Sequence, residues 1–407
     1  MKIETMRVCI ALAVLQSVSI LGCAQSGQRL TPPFFVNQPF AQGSPFNIEL
    51  PANPKLDPES TSIINGLNIM AAGNVWGLQP GTTGWTLEAA ATPADSDFSF
   101  PVYFSVSTDP LYTINCNGCT MQGLKINIPT YAMPEPEIDA QKPSSGPCEN
   151  GDHHMSIINS TTYVEYDMYQ ACPPTGKGGT YNITTGGFGH IYGPYEDMGI
   201  ADYPIYYNTE YSGYAQDIGS VRVADIMNGA MIPHALQMQV PCAGNPEYPS
   251  GVWPAQAGIS TDQDCSTNPN VVDAPYYGMR VKLNLTDAQI NALRYNNKPL
   301  SPYETSILLT LEHYGAFVSD TGTGGADPNT GYIVGDMEFI RESGLSYTQV
   351  GLTDPWITLA KKYNVPVTSG GTDLNEYLIP VDAVQYQSRN LTDYLVVVDP
   401  CVTWGTC

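Results

Sequence analysis

GDHHMSIINSTTYVEYDMYQA, residues 151–171, holds two runs of strand-forming residues around an Asn-Ser-Thr-Thr turn. Strand side chains alternate between faces, so the register of this hairpin decides which residues share a face. An even-numbered loop at Ser160–Thr161 pairs Ile157 with Val164, Met155 with Tyr166 and His153 with Met168. That face is apolar. The opposite face then carries His154 with Asp167 and Ser156 with Glu165, flanked by Tyr163 and Tyr169. An odd loop would set Met155 against Asp167 and Ile157 against Glu165, so the hydrophobic pattern selects the even loop. The expectation is an exposed polar face on which Glu165 and Asp167 stand about 7 Å apart, two strand steps. Carboxylates that close raise one another's proton affinity, which is one way to hold an acid and a base at neutral pH.

Outward from the hairpin, the chain reads as β-rich. Only 14% of its 407 residues are charged, against 38 Gly, 34 Pro and 26 Tyr. That balance suits strands joined by ordered turns. Short β-type runs recur from about Thr61 to Leu285, among them FSFPVYFSVS (98–107), GLKINIP (123–129), HALQMQVP (234–241) and YGMRVKLNL (277–285). Their spacing predicts an all-β sandwich or jelly roll. A small helical cap is expected at 286–315 and 354–364. Thr286 and Ser301 stand at N-cap positions, Pro302 at the first helical position, Glu304 closes a capping box, and Gly315 ends the second helix. GAFVSD, YIVGD and DYLVVVD are read as further strands.

The first residues read as an export signal. Lys2 and Arg7 precede an apolar run from Val8 to Leu21, too short for a stable membrane span. ILGC (Ile20 to Cys23) resembles a bacterial lipobox, which implies lipidation at Cys23. The expected organisation is a signal over 1–23, a tether and extended entry segment over 24–60, and the sandwich domain with its helical insertion over 61–407. Outside Cys9 and Cys23, eight cysteines remain, an even count that suits an oxidising compartment. Proximity predicts Cys242–Cys265 and Cys401–Cys407, and leaves Cys116, Cys119, Cys148 and Cys172 open.

The net charge of −23 disfavours nucleic acid and anionic lipid surfaces. Membrane attachment is expected only through the lipid. A glycan is the expected partner, because HIYGPYEDMGIADYPIYYNTEYSGY (190–214) crowds tyrosines into a loop region. Tyrosine offers an apolar face and a polar tip to a sugar. Candidate binding residues are Tyr163, Tyr169, Tyr203, Tyr206, Tyr207 and Trp253. Candidate catalytic residues are Glu165, Asp167, His154 and His234. No cofactor is expected. Adjacent histidines on a strand face opposite ways, which argues against one ion shared by His153 and His154. Structural calcium is an option at the oxygen-rich loop of Asp320, Asp327, Asn329 and Asp336.

EYDMYQ (165–170) resembles the E-x-D-x-x-E strand of retaining jelly-roll glycosidases. The resemblance implies Glu165 as nucleophile and Asp167 as its helper. The last position is Gln170, which cannot serve as the acid. DHHMSIIN, PHALQM, WPA, GMRVKL and HYGAFVSDTG together resemble an uncharacterised family of secreted bacterial proteins and imply no activity. The leading expectation is hydrolysis of a neutral polysaccharide by a carboxylate pair. The alternatives are a non-catalytic surface lipoprotein that binds glycan or a partner, and a polysaccharide lyase using His and Tyr.

Overall fold

The computed structural model describes residues 29–30, 40–71, 87–88, 99–135, 151–174, 177–191, 209, 211–245, 247–248, 251–255, 265, 271–295, 297–322, 324–326, 333–335, 337–364, 385–387 and 389–407. It is strand-rich, with several sheets and few helices. The hairpin belongs to a four-stranded sheet of β1 (Val102–Ser105), β2 (Met155–Asn159), β3 (Val164–Tyr169) and β4 (Thr185–His190), in that order. β1 runs parallel to β2, and the other neighbours are antiparallel. A six-stranded sheet holds β5 (Leu236–Val240), β6 (Arg280–Leu283), β7 (Ala316–Thr321), β8 (Met337–Phe339) and β9 (Leu395–Val398). Its order is Leu87–Glu88, β8, β5, β7, β6, β9.

This larger sheet is mixed. β5 and β7 are parallel, as are Leu87–Glu88 and β8. Parallel neighbours need long crossovers, and helices supply part of the covering. The expectation of a β-rich chain therefore holds, whereas the wholly antiparallel order of a jelly roll does not describe this sheet. No helix among the described residues is long and apolar enough to cross a membrane.

Four helices matter here: α1 (Ser60–Ala71), α2 (Asp287–Ala292), α3 (Pro302–His313) and α4 (Pro355–Tyr363). The last three follow their local signals. Thr286 and Ser301 each form a complete capping box with Gln289 and Glu304. Asp354 caps α4 through the Trp356 amide, and Asn364 closes it in the left-handed conformation. The first was missed. STSIINGLNIMA falls in the β-type stretch and is rich in Ile, Ser and Asn, yet Ile63, Ile64, Leu67 and Met70 fall on one buried helical stripe. Packing outweighs weak propensity here. Gly66 lets the helix approach Val271, whose Cγ1 would lie 3.0 Å from an added Cβ.

Residues 40–60 are not a tether. Phe46 is fully buried between Tyr214 and Phe317, with ring centroids 5.1 Å and 4.8 Å away. Phe40 and Leu50 are buried as well. The signal, Cys23 and the segment 31–39 lie outside the described residues.

Cys242–Cys265 and Cys401–Cys407 form as expected, and CNGC closes on itself as Cys116–Cys119. Cys172 is disulfide-bonded as well. Cys242 is fully buried in the main core and its bridge closes a loop of separation 23. Replacing Cys242 and Cys265 together by Ala is expected to cost about 3 kcal/mol through released loop entropy, measured by urea unfolding. A change below about 0.5 kcal/mol would show that this bridge does not constrain the unfolded chain.

Candidate active site: a cleft beside a buried acid pair

The hairpin keeps the expected faces but shifts its register by two. Met155 pairs with Met168, Ser156 with Asp167, Ile157 with Tyr166 and Ile158 with Glu165. The turn explains the shift. The Asn159 carboxamide accepts from the Thr161 and Thr162 amides, and Tyr163 takes a left-handed φ of 55°. A four-residue loop results where a two-residue one was expected, and an even shift leaves every side chain on its expected face.

The polar face is not exposed. Met155, Ile157 and Met168 pack into a second core with Tyr112, Ile114 and Tyr181. The other face is covered by residues 211–222, which lie between this sheet and the six-stranded one. This strap is pinned on its far side by Ser212 N to Ser319 O (3.0 Å) and Gln237 N to Gly219 O (2.9 Å). Glu165, Asp167 and Ser156 are consequently 0% exposed.

These buried groups form one network. The Gln216 amide donates to Asp167 Oδ2 (3.0 Å), and the Asp217 amide donates to Glu165 Oε1 (3.2 Å). The Ser156 hydroxyl lies 2.6 Å from Asp167 Oδ1 and 2.5 Å from the Gln216 carboxamide. That carboxamide reaches His154 Nδ1 at 2.5 Å. A hydroxyl has a single proton to give. Asp167 Oδ1 and the Gln216 oxygen both face it, and the Gln216 NH2 faces His154 Nδ1. His154 is buried, stacked on Phe100 at 4.4 Å and edge-on to Tyr169 at 5.1 Å.

Glu165 and Asp167 act on each other electrostatically, and Glu165 Oε2 has no hydrogen-bond partner among the described residues. Burial pushes Glu165 well above the usual carboxylate range, and the charges of Asp167 and Asp217 add to the rise. Burial raises Asp167 to about 6, opposed by Ser156, Glu165 and the Gln216 amide. The folded protein thus holds protons that the unfolded chain has released. The pair's contribution to stability is complete below the ordinary carboxylate range and is lost as pH rises through about 6 and beyond. Glu165→Gln keeps a donor toward Asp167 and an acceptor for the Asp217 amide without the titration. The variant is expected to match the wild type at pH 5 and to melt higher at pH 8. Equal loss of melting temperature between those pH values in both proteins would reject the raised affinity of Glu165 for its proton.

Beside the pair lies a small cleft of about 40 Å³. Phe100, Val102, Phe104 and Ile158 form its apolar wall, and Asp217, Arg222, Glu342, Ser346 and Tyr347 its polar one. Two segments meet here. Residues 341–342 pair in parallel with Ser99 and Phe100, and the Glu342 amide donates to Val221 O (3.0 Å). The Glu342 carbonyl accepts from Trp356 Nε1 (2.9 Å), so its backbone is held from both sides. Its carboxylate accepts from the Val223 amide and the Tyr347 hydroxyl, each at 2.7 Å. Burial nevertheless lifts Glu342 to about 7 against those bonds and the Arg222 charge. Burial also raises Asp217, opposed by Arg222. Arg222 is 6% exposed, with Nε 3.8 Å from Asp225 Oδ2. Its Nε and Nη2 find no hydrogen-bond acceptor among the described residues.

The expected site residues therefore separate. Glu165, Asp167 and His154 meet, and all three are buried rather than on an exposed face. His234 is buried just before β5, on the other sheet, with Nδ1 2.9 Å from Ala235 O. Burial and Arg222 lower it to about 3, which keeps it neutral. Tyr163 sits in the hairpin turn, Tyr169 donates to Asp152 (2.9 Å), and Trp253 packs on the main core. None of the three lines the cleft. Tyr203, Tyr206 and Tyr207 lie outside the described residues, as do Asp327, Asn329 and Asp336. Asp320 accepts from the Tyr211 amide. His153 takes a left-handed φ and places Nδ1 3.0 Å from Glu135 O.

Sequence reasoning missed Glu342, Asp217 and Arg222. Asp217 and Arg222 lie in the irregular strap, and Glu342 in a two-residue strand too short to show a period. The usable signal was scarcity, since FIRESGLSY and QDIGSVRVAD concentrate charge in a chain with few. In comparisons with known proteins, no family model, no curated protein and no solved structure matches this chain.

Proposed function

We propose that the protein is an exported hydrolase of a neutral polysaccharide, lipid-anchored through Cys23, that uses Glu342 as general acid and Asp217 as its partner carboxylate. One observation carries this reading: Glu342 is pushed to about 7 in the same cleft as Asp217 and Arg222, opposite an aromatic wall. A carboxyl near neutrality can give a proton to a leaving oxygen and take one back. An ionised partner beside Arg222 can activate water or stabilise developing positive charge on a sugar ring. Phe100 and Phe104 offer an apolar surface to one side of a ring. The disulfides support export, and the acidic surface favours an uncharged glycan. Glu165 and Asp167 act here as the anchor of the strap that carries Asp217 and Arg222. A jelly-roll frame is not required.

The test is a degradation assay of the mature protein on a panel of neutral polysaccharides, read as new reducing ends. Cleavage of at least one member, abolished in Asp217→Asn but retained in Glu165→Gln, is the expected result. Cleavage abolished by Glu165→Gln and untouched by Asp217→Asn would return the chemistry to the hairpin. No cleavage of any member would remove the hydrolase reading.

A further inference from the structure

We infer that Arg222 is the specificity-determining residue of the cleft, and that it grips two neighbouring hydroxyls of an uncharged sugar. This inference rests on the cleft being a glycan site, as proposed above, but not on its being hydrolytic.

The starting point is an unmet demand. A guanidinium carries five N–H donors in a fixed fork. Arg222 is nine-tenths buried, yet Nε and Nη2, the two donors along one edge of that fork, make no hydrogen bond among the described residues, Nε having only the Asp225 carboxylate at 3.8 Å. A buried donor without a hydrogen bond is costly even beside an ionic partner, so such a group is retained where something else supplies the acceptor. Arg222 lines the cleft together with Asp217, Glu342, Ser346 and Tyr347. A ligand in the cleft is the natural source.

The surrounding charge selects the ligand's chemistry. A free arginine edge would ordinarily suit a carboxylate or phosphate. Here Asp217 and Asp225 act on Arg222 electrostatically, Glu342 adds to them when ionised, and the acids outnumber the arginine. An anion entering the cleft would meet that excess negative charge at short range. A cation would suit the carboxylates but leave the arginine donors unmet. A hydroxyl accepts and donates at once. Two adjacent hydroxyls can accept from the arginine edge while giving their protons to Asp217 or Glu342. The apolar wall of Phe100, Val102 and Phe104 then takes the C–H face of the ring. Donors, acceptors and apolar wall together describe an uncharged sugar, and they disfavour a uronate.

The test uses wild-type mature protein and calorimetric or NMR titration at pH 7. The probes are methyl glycosides of glucose, mannose, galactose and xylose, their monodeoxy analogues, and glucuronate and galacturonate. At least one methyl glycoside is expected to bind. Removing either of two adjacent hydroxyls should weaken it at least about tenfold, because a charged donor is again left without an acceptor. The uronates should bind no more tightly than their neutral parents. Arg222→Lys should lose at least about tenfold in affinity and flatten the differences among the deoxy analogues. Should that variant fail to fold, the deoxy series on the wild type decides alone. Tightest binding to a uronate, indifference to every single deoxygenation, or no binding by any probe would each overturn the inference. Binding with the expected deoxy pattern but no cleavage of any polysaccharide would remove the hydrolase reading and leave this one standing. Cleavage by a protein indifferent to deoxygenation would do the reverse.

Discussion

Glu342→Gln is expected to lower turnover on the cleaved glycan about 10²–10⁴-fold, the share that general acid–base help supplies. The change keeps the side chain's size. Its carbonyl oxygen can still accept from the Val223 amide, and the Tyr347 hydroxyl can rotate to meet the new NH2. The backbone bonds to Val221 and Trp356 are untouched. What disappears is the proton. The readout is kcat on the panel member that wild type cleaves, together with its pH profile. Wild type should show an alkaline limb near 7, the value to which burial lifts Glu342, and the variant should lose it. A positioning test accompanies this one. The Tyr347 hydrogen bond opposes the rise of Glu342, so Tyr347→Phe should move the limb to higher pH and spare most of the maximal rate. Full turnover in Glu342→Gln with an unchanged profile would assign the proton transfer elsewhere.

The second large effect concerns stability. Gly278→Ala is expected to cost roughly 2–5 kcal/mol, combining a left-handed backbone with steric overlap. Gly278 holds a φ of +79°, and an added Cβ would lie 1.9 Å from Val252 O and 3.1 Å from Ala255 Cβ. The neighbour is backbone and cannot swing away. Val252 N is itself bonded to Tyr277 O (2.8 Å), and Gly278 N to Val318 O (2.9 Å). Relief therefore requires moving either the entry to β6 or the 251–255 turn, both packed on the main core. Gly351→Ala is the matched control, with the same φ of +79° and nothing within 4 Å of its Cβ. It should cost only the conformational share, about 1–2 kcal/mol. Urea unfolding of both variants separates the two contributions. Equal losses would show that the overlap at Gly278 relaxes freely.

What the chain determines locally was readable from residues alone. Capping boxes at Thr286 and Ser301 need partners only three residues away, and both form. Strand alternation gave the faces of the hairpin, and short loops made Cys242–Cys265 and Cys401–Cys407 foreseeable. Even the register error preserved the faces, because side chains repeat every second residue. The rest depended on segments far apart in the chain. STSIINGLNIMA became a helix because a buried stripe on β9 and its surroundings outweighed its β-type residues. The polar face of the hairpin became interior because a strap about 50 residues downstream lies on it and gives it two amide donors. Burial put Glu165 and Asp167 inside, where the two amides of the strap meet their carboxyls. The same strap, meeting the segment of Glu342, brought Asp217, Arg222 and Glu342 to one cleft. No pattern in the sequence links those three positions. Periodicity and capping are short-range interactions written within a few residues, whereas burial and convergence arise only when distant segments close upon one another.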